Sequence, residues 1–343
     1  MYTEDLEGPC MYERPGAYFL PVLYSIFFIL GLLGNTLVLW VILCGVQLRS
    51  MTDVCLLNLA FADLLLVCSL PFVAHQAWHQ WVFGDAMCKV VLGAYYVGFY
   101  SGIFFITLMS IDRYLAIVHA VYALRKRTRS AGVIAASLTW LSGFLASFPD
   151  AAFLQQQMSG GSDSWFCAPF YNGTAEDTTD NQHFWNIFAL FKINVLGLLI
   201  PTVIMGFCYT KIIWRLQYGQ SSKRLAIRLV LIVIAVFVCC WVPYNVASFF
   251  KALELMGVYT ECNSSKAIRL ALLATESIAY SHSCINPILY VFVGEKFRRH
   301  LLKLMSRAPC HLCQVMRTII PMDRTTGSTY SQTTSLDERS TAM

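Results

Sequence analysis

Residues 20–44 read LPVLYSIFFILGLLGNTLVLWVILC, 25 residues without a charged side chain. At 1.5 Å per residue, a helix of this length crosses the roughly 30 Å of hydrocarbon in a bilayer. Six further apolar segments follow, near 54–77, 88–119, 131–150, 187–213, 226–250 and 268–293. The third and fifth overrun a bilayer, which tilt or extension into water accommodates. Across all 343 residues, 57% are hydrophobic and 13% charged, against about a quarter charged in a soluble domain. Two soluble domains would fit by length, but the Asp, Glu, Lys and Arg are too few to cover two polar exteriors. An ordinary cytosolic enzyme is excluded. Aromatics at 14% and a mean hydropathy of +0.56 exclude a disordered or collagen-like chain as well. The expected fold is an all-α membrane protein, a bundle of seven transmembrane helices.

Basic residues set its direction. Arg49 lies in the first connection, Arg125, Lys126, Arg127 and Arg129 in the third, Lys223, Arg224 and Arg228 in the fifth, and Lys296, Arg298, Arg299 and Lys303 after the last span. These regions share one side, which the positive-inside rule makes cytoplasmic, so the N-terminus is extracellular. Its opening Met1-Tyr2-Thr3-Glu4-Asp5 is acidic and lacks the basic start of a cleavable signal peptide, so insertion is expected to rely on the first span. On the outer side acids, Asp150 among them, outnumber bases, Lys192 among them, a face that attracts a basic partner and not nucleic acid. The sequons Asn172-Gly-Thr and Asn263-Ser-Ser both fall in outer connections.

The domain plan is therefore an acidic outer segment 1–19, the bundle 20–293, a juxtamembrane helix 294–306 and a cytoplasmic tail 307–343. In the third of these, Phe297, Leu301 and Leu304 recur at helical spacing opposite the cations, as in an amphipathic helix lying on lipid of the inner leaflet. From Thr325 the tail is rich in Ser and Thr, disordered, and offers phosphate acceptors. Cys310-His-Leu-Cys313 is a lone CxxC, read as juxtamembrane palmitoylation ahead of metal or redox work. Most of the thirteen cysteines lie in apolar spans, where they pack as small hydrophobes. Cys10, Cys88, Cys167 and Cys262 lie in oxidising territory, and four thiols permit three pairings.

Ionisable groups within hydrocarbon are costly, so they point to function. Asp63 lies midway along span two, Asp112 and Arg113 close the inner end of span three, and Glu276 lies about two turns inside span seven. Asp63 and Glu276 have no route to water by snorkelling and should face the bundle interior. Pro71, Pro201, Pro243 and Pro287 each interrupt a span. Neighbours or water satisfy the lost hydrogen bond, and the kink becomes a hinge or cavity wall. The expected result is a bundle with an outward cavity and movable inner ends, holding neither metal nor cofactor.

These residues resemble the rhodopsin-like G-protein-coupled receptors, and specifically the C-C chemokine receptors, nearest types 8 and then 4. The resemblance runs over nearly the whole chain. It rests on Gly34-Asn35, Leu59-Ala60 with Asp63, Asp112-Arg113-Tyr114-Leu115-Ala116-Ile117-Val118, Trp140, Pro201 with Tyr209, Trp241-Val242-Pro243-Tyr244 and Asn286-Pro287-Ile288-Leu289-Tyr290. His119-Ala120-Val121, the four outer cysteines and Glu276 after Thr275 add the chemokine-receptor signature. The resemblance implies pairing of Cys88 with Cys167 and of Cys10 with Cys262. It also implies a ligand path lined by Tyr24, Trp81, Tyr95, Tyr96, Phe99, Tyr244 and Glu276, and a switch of Asp63, Trp241, Pro243, Asn286, Pro287 and Tyr290. G-protein coupling would fall to Asp112, Arg113, Tyr114 and Tyr209, with Arg113 held to Asp112 at rest.

The implied function is a plasma-membrane receptor, not an enzyme. A basic chemokine would be steered by the acidic N-terminus, where Tyr2 and Tyr12 are sulfation candidates, and its tip would enter the bundle. An inhibitory-class heterotrimeric G protein would be activated inside, with arrestin and receptor kinases acting through the Ser/Thr tail. Four positions depart from the family. Ser69-Leu70-Pro71 replaces Thr-x-Pro but keeps a hydroxyl for the helix backbone. Val73 replaces a common tryptophan and makes the minor pocket roomier. Gly102 and His282 replace a serine and an asparagine that accompany the span-two aspartate in sodium binding, leaving fewer oxygen ligands. A non-signalling scavenger and a virus-encoded homologue share the same outer half; the intact Asp112-Arg113-Tyr114 favours signalling. No span-seven lysine suits a retinal Schiff base, and no internal symmetry suits a transporter.

Overall fold

The computed structural model describes residues 19–46, 48, 50–120, 128–158, 164–171, 178–217, 223–259, 261–293 and 295–307. Seven long helices account for the expected spans. Helix α1 is Phe19–Val41 and runs into a π turn, Ile42–Val46; α2 is Met51–Trp78, α3 Gly84–Val118 and α4 Arg129–Ser147. Helix α5, residues 178–217, consists of Thr178–Lys192, a π segment Ile193–Leu199, and Ile200–Gln217. Helices α6 and α7 are Lys223–Leu255 and Cys262–Val293, and α8 is Glu295–Arg307. Each of the first seven begins ahead of its apolar window. At the start of α2, the Ser50 hydroxyl accepts from Asp53 N–H (3.3 Å) while Asp53 accepts from Ser50 N–H (3.0 Å), a reciprocal cap.

In residues 1–289, α1 packs on α2, α2 on α3, α4 on both α2 and α3, and α5 on α3 and α6. Side chains tie in α7: Asn35 Nδ2 donates to Ser283 O at 3.0 Å, Asn286 Nδ2 to Asp63 Oδ2 at 2.8 Å, and the Tyr95 and Tyr280 hydroxyls meet at 3.0 Å. Small residues permit these approaches. A Cβ on Gly98 would lie 2.7 Å from the Ala62 carbonyl oxygen, and one on Gly34 would lie 2.9 Å from the Pro287 ring. The outer surface is apolar: Leu33, Phe144 and Val203 are 66%, 64% and 63% exposed. Water would not tolerate such a belt, and lipid requires it.

Among the described residues, six helices are long and apolar enough to cross a membrane; α7 is the long helix that falls short. Its polar residues explain the difference. Glu276, Ser277, His282, Ser283 and Asn286 are all buried, so they face neighbouring helices and leave the lipid face to residues such as Leu270, Ile278 and Ile288.

Pro71, Pro243 and Pro287 lie inside continuous helices. Ser69 Oγ donates to Leu66 O at 2.6 Å just before Pro71, so the serine does bond the helix backbone. Ahead of Pro201, the Ile200 N–H reaches back five residues to Val195 O, closing the π segment. Proline cannot donate and its ring crowds the carbonyl four residues earlier; the wider turn is one way a helix absorbs both effects.

The second outer connection, expected as plain loop, contains an antiparallel hairpin, β1 Leu154–Met158 and β2 Trp165–Pro169, with Gln156 opposite Cys167. Cys167 is disulfide-bonded to Cys88 near the start of α3. Lys192 of α5 forms a buried ion pair with Asp150, donates to Phe148 O at 3.1 Å, and lies 5.2 Å from the Tyr100 ring centroid. Tyr171 also donates to Asp150, at 2.7 Å. Two residues counted as outer-surface charges are thus an internal strut joining α3, the end of α4 and α5; burial of both makes the pair demanding, and the added donors compensate.

Residues 290–343 form a second unit. Its helix α8 is amphipathic, with Phe297, Leu301 and Met305 buried and Arg299 and Lys303 exposed; Met305, not Leu304, completes the apolar stripe. The acidic segment with Tyr2, Cys10 and Tyr12, the sequon at Asn172, Cys310, Cys313 and the Ser/Thr tail lie outside the described residues. Asn263, placed by its sequence in a connection, is exposed in the first turn of α7, which begins at Cys262. Cys262 is disulfide-bonded.

Candidate functional site

The outer half of the bundle gathers aromatic rings around one carboxylate. Glu276 and Tyr280 stand four residues apart on α7 and so share a face. The Tyr280 hydroxyl donates to Glu276 Oε1 at 2.5 Å and also bonds the Tyr95 hydroxyl of α3. Tyr24 of α1 meets the Tyr280 ring edge-on at 5.5 Å, and Tyr95 meets it at 5.9 Å. Tyr96 packs on Tyr95 at 5.2 Å. Glu276 is 8% exposed. Its carboxylate thus has an internal donor, and an unpaired buried carboxylate would be costly.

Trp81 and Tyr244 are buried as well. Trp81 is fully buried with Phe72 (6.5 Å) and Phe83 (5.1 Å); its indole N–H donates to Gly84 O and its backbone N–H to Trp165 O of β2, at 2.9 and 2.7 Å. It anchors the hairpin to the end of α2 and does not join the Tyr95–Tyr280 group. Tyr244 is buried one residue beyond Pro243.

From the cup, contacts descend without a break. Tyr95 packs on Phe99 at 6.1 Å, Phe99 on Trp241 at 5.1 Å and Trp241 on His282 at 5.8 Å. His282 Nδ1 lies 3.4 Å from Asn286 Nδ2, which donates to Asp63. Asp63 is hydrogen-bonded by Asn286 and Ser283, both of α7, and a Cβ added at Gly102 would stand 3.9 Å from Asp63 Oδ1.

At the inner end, Asp112 accepts from Thr52 Oγ1 of α2 at 2.6 Å, while Arg113 is exposed. The Asp112 carboxylate thus has a hydroxyl partner on α2 in a fully buried position. Tyr209 of α5 bonds Ser110 of α3 at 2.9 Å, and Tyr114 bonds His119 Nε2 at 3.0 Å. The Tyr290 side chain lies outside the described residues. Three partners escaped sequence reasoning. Tyr280 was within reach through its spacing of four from Glu276; Thr52 and Ser110 carry no local signal, since they acquire their roles by folding.

Residues 34–290 match the family described as 7 transmembrane receptor (rhodopsin family). The chain is 45% identical to human C-C chemokine receptor type 8 over 311 residues, covering 90% of this chain and 85% of the relative. It is 43% identical to human C-C chemokine receptor type 4 over 340 residues, covering 96% and 91%. Against C-C chemokine receptor type 3 of Cavia porcellus the identity is 45%, covering 89% and 84%. The chain belongs to the C-C chemokine receptor family, within the rhodopsin-type seven-transmembrane receptors, and is a multi-pass plasma membrane protein.

Proposed function

We propose that the chain binds a basic C-C chemokine at its extracellular face and activates a heterotrimeric G protein of the inhibitory class inside, supporting chemotaxis and calcium signalling. The observation that carries this reading is the unbroken series from Glu276 and Tyr280 through Tyr95, Phe99 and Trp241 to His282, Asn286 and Asp63. It gives a ligand tip in the cup something to displace that is packed against the proline-bearing helices α6 and α7.

Capture and activation divide along the molecule. The acidic N-terminal segment steers the chemokine body by long-range attraction that salt weakens. The tip then competes with Tyr280 for Glu276, loosening the rings above Trp241. Movement of α6 about Pro243 opens the inner end, where exposed Arg113 meets the G protein and Tyr209 leaves Ser110. A ligand achieves this by binding the open arrangement more tightly than the closed one. Receptor kinases and arrestin act on the Ser/Thr tail, and α8 lies on lipid of the inner leaflet. A panel of purified chemokines applied to cells expressing the chain, read by inhibition of cyclic AMP synthesis, tests the reading. One basic chemokine should both bind and inhibit; binding without inhibition in response to every ligand would refute the signalling half.

A further inference from the structure

The outer end of α2 carries a feature that chemokine capture does not use. His75 and His79 are four residues apart, and the His79 N–H still bonds His75 O at 2.9 Å, so one helical turn brings both imidazoles to the same face. Their ring centroids lie 6.3 Å apart. His75, His79, Gln80, Val82 and Ser164 line a pocket between α2 and the hairpin. We propose that His75 and His79 form a site for a divalent transition-metal ion of the Zn²⁺ type.

The chemistry of His75 is already set. Its Nδ1 lies 3.0 Å from the Gln80 carbonyl oxygen, which can only accept, so Nδ1 carries the proton and Nε2 keeps its lone pair. A histidine ligand is usually oriented this way, by its second nitrogen and a carbonyl. Two imidazoles on a tetrahedral zinc, with Zn–N of about 2.0–2.1 Å, have centroids about 5 Å apart. The present separation closes by side-chain rotation of roughly 1 Å, for which exposed His79 has room. Each imidazole has two nitrogens, so His79 can coordinate through one and keep an existing contact through the other. Among the described residues no group of three or more His, Cys, Asp or Glu forms a metal cluster. Water and the neutral oxygens of Gln80 or Ser164 would complete the shell, making an exchangeable site.

Its position gives the ion leverage. Gln80 Oε1 accepts from Trp165 N–H at 3.0 Å, Gln76 Oε1 from Cys167 N–H at 2.9 Å, and Trp81 N–H donates to Trp165 O. Metal bound across His75 and His79 stiffens the turn that bolts the hairpin to α2.

Thermal unfolding of the full chain in lipid nanodiscs, with zinc chloride or magnesium chloride added, provides the test. Zinc should raise the unfolding temperature, EDTA should reverse it, and magnesium should leave it unchanged. His79→Ala should weaken the zinc response about tenfold or more while leaving the metal-free unfolding temperature nearly unchanged. His79→Cys should restore zinc binding and add a response to cadmium. An equal zinc response in His79→Ala, or none in the unmodified receptor, would overturn the proposal.

Discussion

Replacing Tyr280 with Phe removes a hydroxyl and keeps the ring, so the edge contacts with Tyr24 and Tyr95 survive. Two hydrogen bonds go, and they are not equivalent. The bond to Tyr95 joins α7 to α3 and breaks when the helices separate; interhelical bonds of this kind in membranes average about 0.6 kcal/mol, with a maximum near 1.7. The bond to Glu276 lies within α7, so its loss acts mainly through the folded bundle, where a buried carboxylate is left with one fewer donor. A hydrogen bond to a charged group is worth about 1.5–3 kcal/mol. Tyr280→Phe should therefore destabilise the unliganded receptor by roughly 2–3.5 kcal/mol and Tyr95→Phe by about 0.6. Thermal unfolding in nanodiscs measures both, and a shift of a few degrees separates them. Combining the two substitutions should cost little more than Tyr280→Phe alone, because the hydroxyls share one bond. If Tyr280→Phe is no worse than Tyr95→Phe, the hydroxyl is not what holds Glu276, and the account of the cup fails.

Other expectations follow from separate parts of the molecule. Cys88→Ala and Cys167→Ala should lower surface expression alike, with little further loss in the double variant, since each opens the same loop; for a sequence separation of 79 the chain-entropy limit is about 4.5 kcal/mol. Strictly additive losses would mean that the two cysteines act independently. Arg113→Ala should abolish nucleotide exchange on the G protein while chemokine binding stays within a few-fold, and full exchange in that variant would favour a scavenger. For Glu276→Gln, dose-response curves and radioligand binding on the same cells should show activation falling far more than occupancy; unchanged potency and maximal response would leave Glu276 as a structural carboxylate held by Tyr280.

The long apolar runs made the bundle legible, and α7 was legible too although its buried polar residues dilute its hydropathy. Asp63 and Glu276 stood out because charge in hydrocarbon is rare. What the chain concealed were partners. Thr52 and Asp112 are 60 residues apart, and nothing local marks a threonine as the acceptor's answer. Trp81 looked like a pocket residue because aromatic side chains suit pockets, yet its contacts with Phe72, Phe83 and Trp165 make it a fastening for the hairpin. The hairpin escaped because Leu154-Gln-Gln-Gln-Met lacks the alternation that betrays a half-buried strand. Asp150 and Lys192 were counted for their sign; only the fold reveals that they cancel each other.

The π segment of α5 has a consequence for phase. Each α-helical residue turns the chain by about 100°, and a π bulge behaves as one additional residue within nearly the same rise. The two ends of α5 are therefore offset by about one such step. At the upper end of the π segment, Asn194 reaches Ser248 of α6 at 2.7 Å; below it, Tyr209 reaches Ser110 of α3. Deleting one residue from Ile193–Leu199 would leave a helix still long and apolar enough to cross the bilayer, but it would swing Tyr209 from Ser110 toward lipid. Helix α5 thus carries two reading frames for its faces, and a residue below Pro201 can be assigned a neighbour only after the offset has been counted.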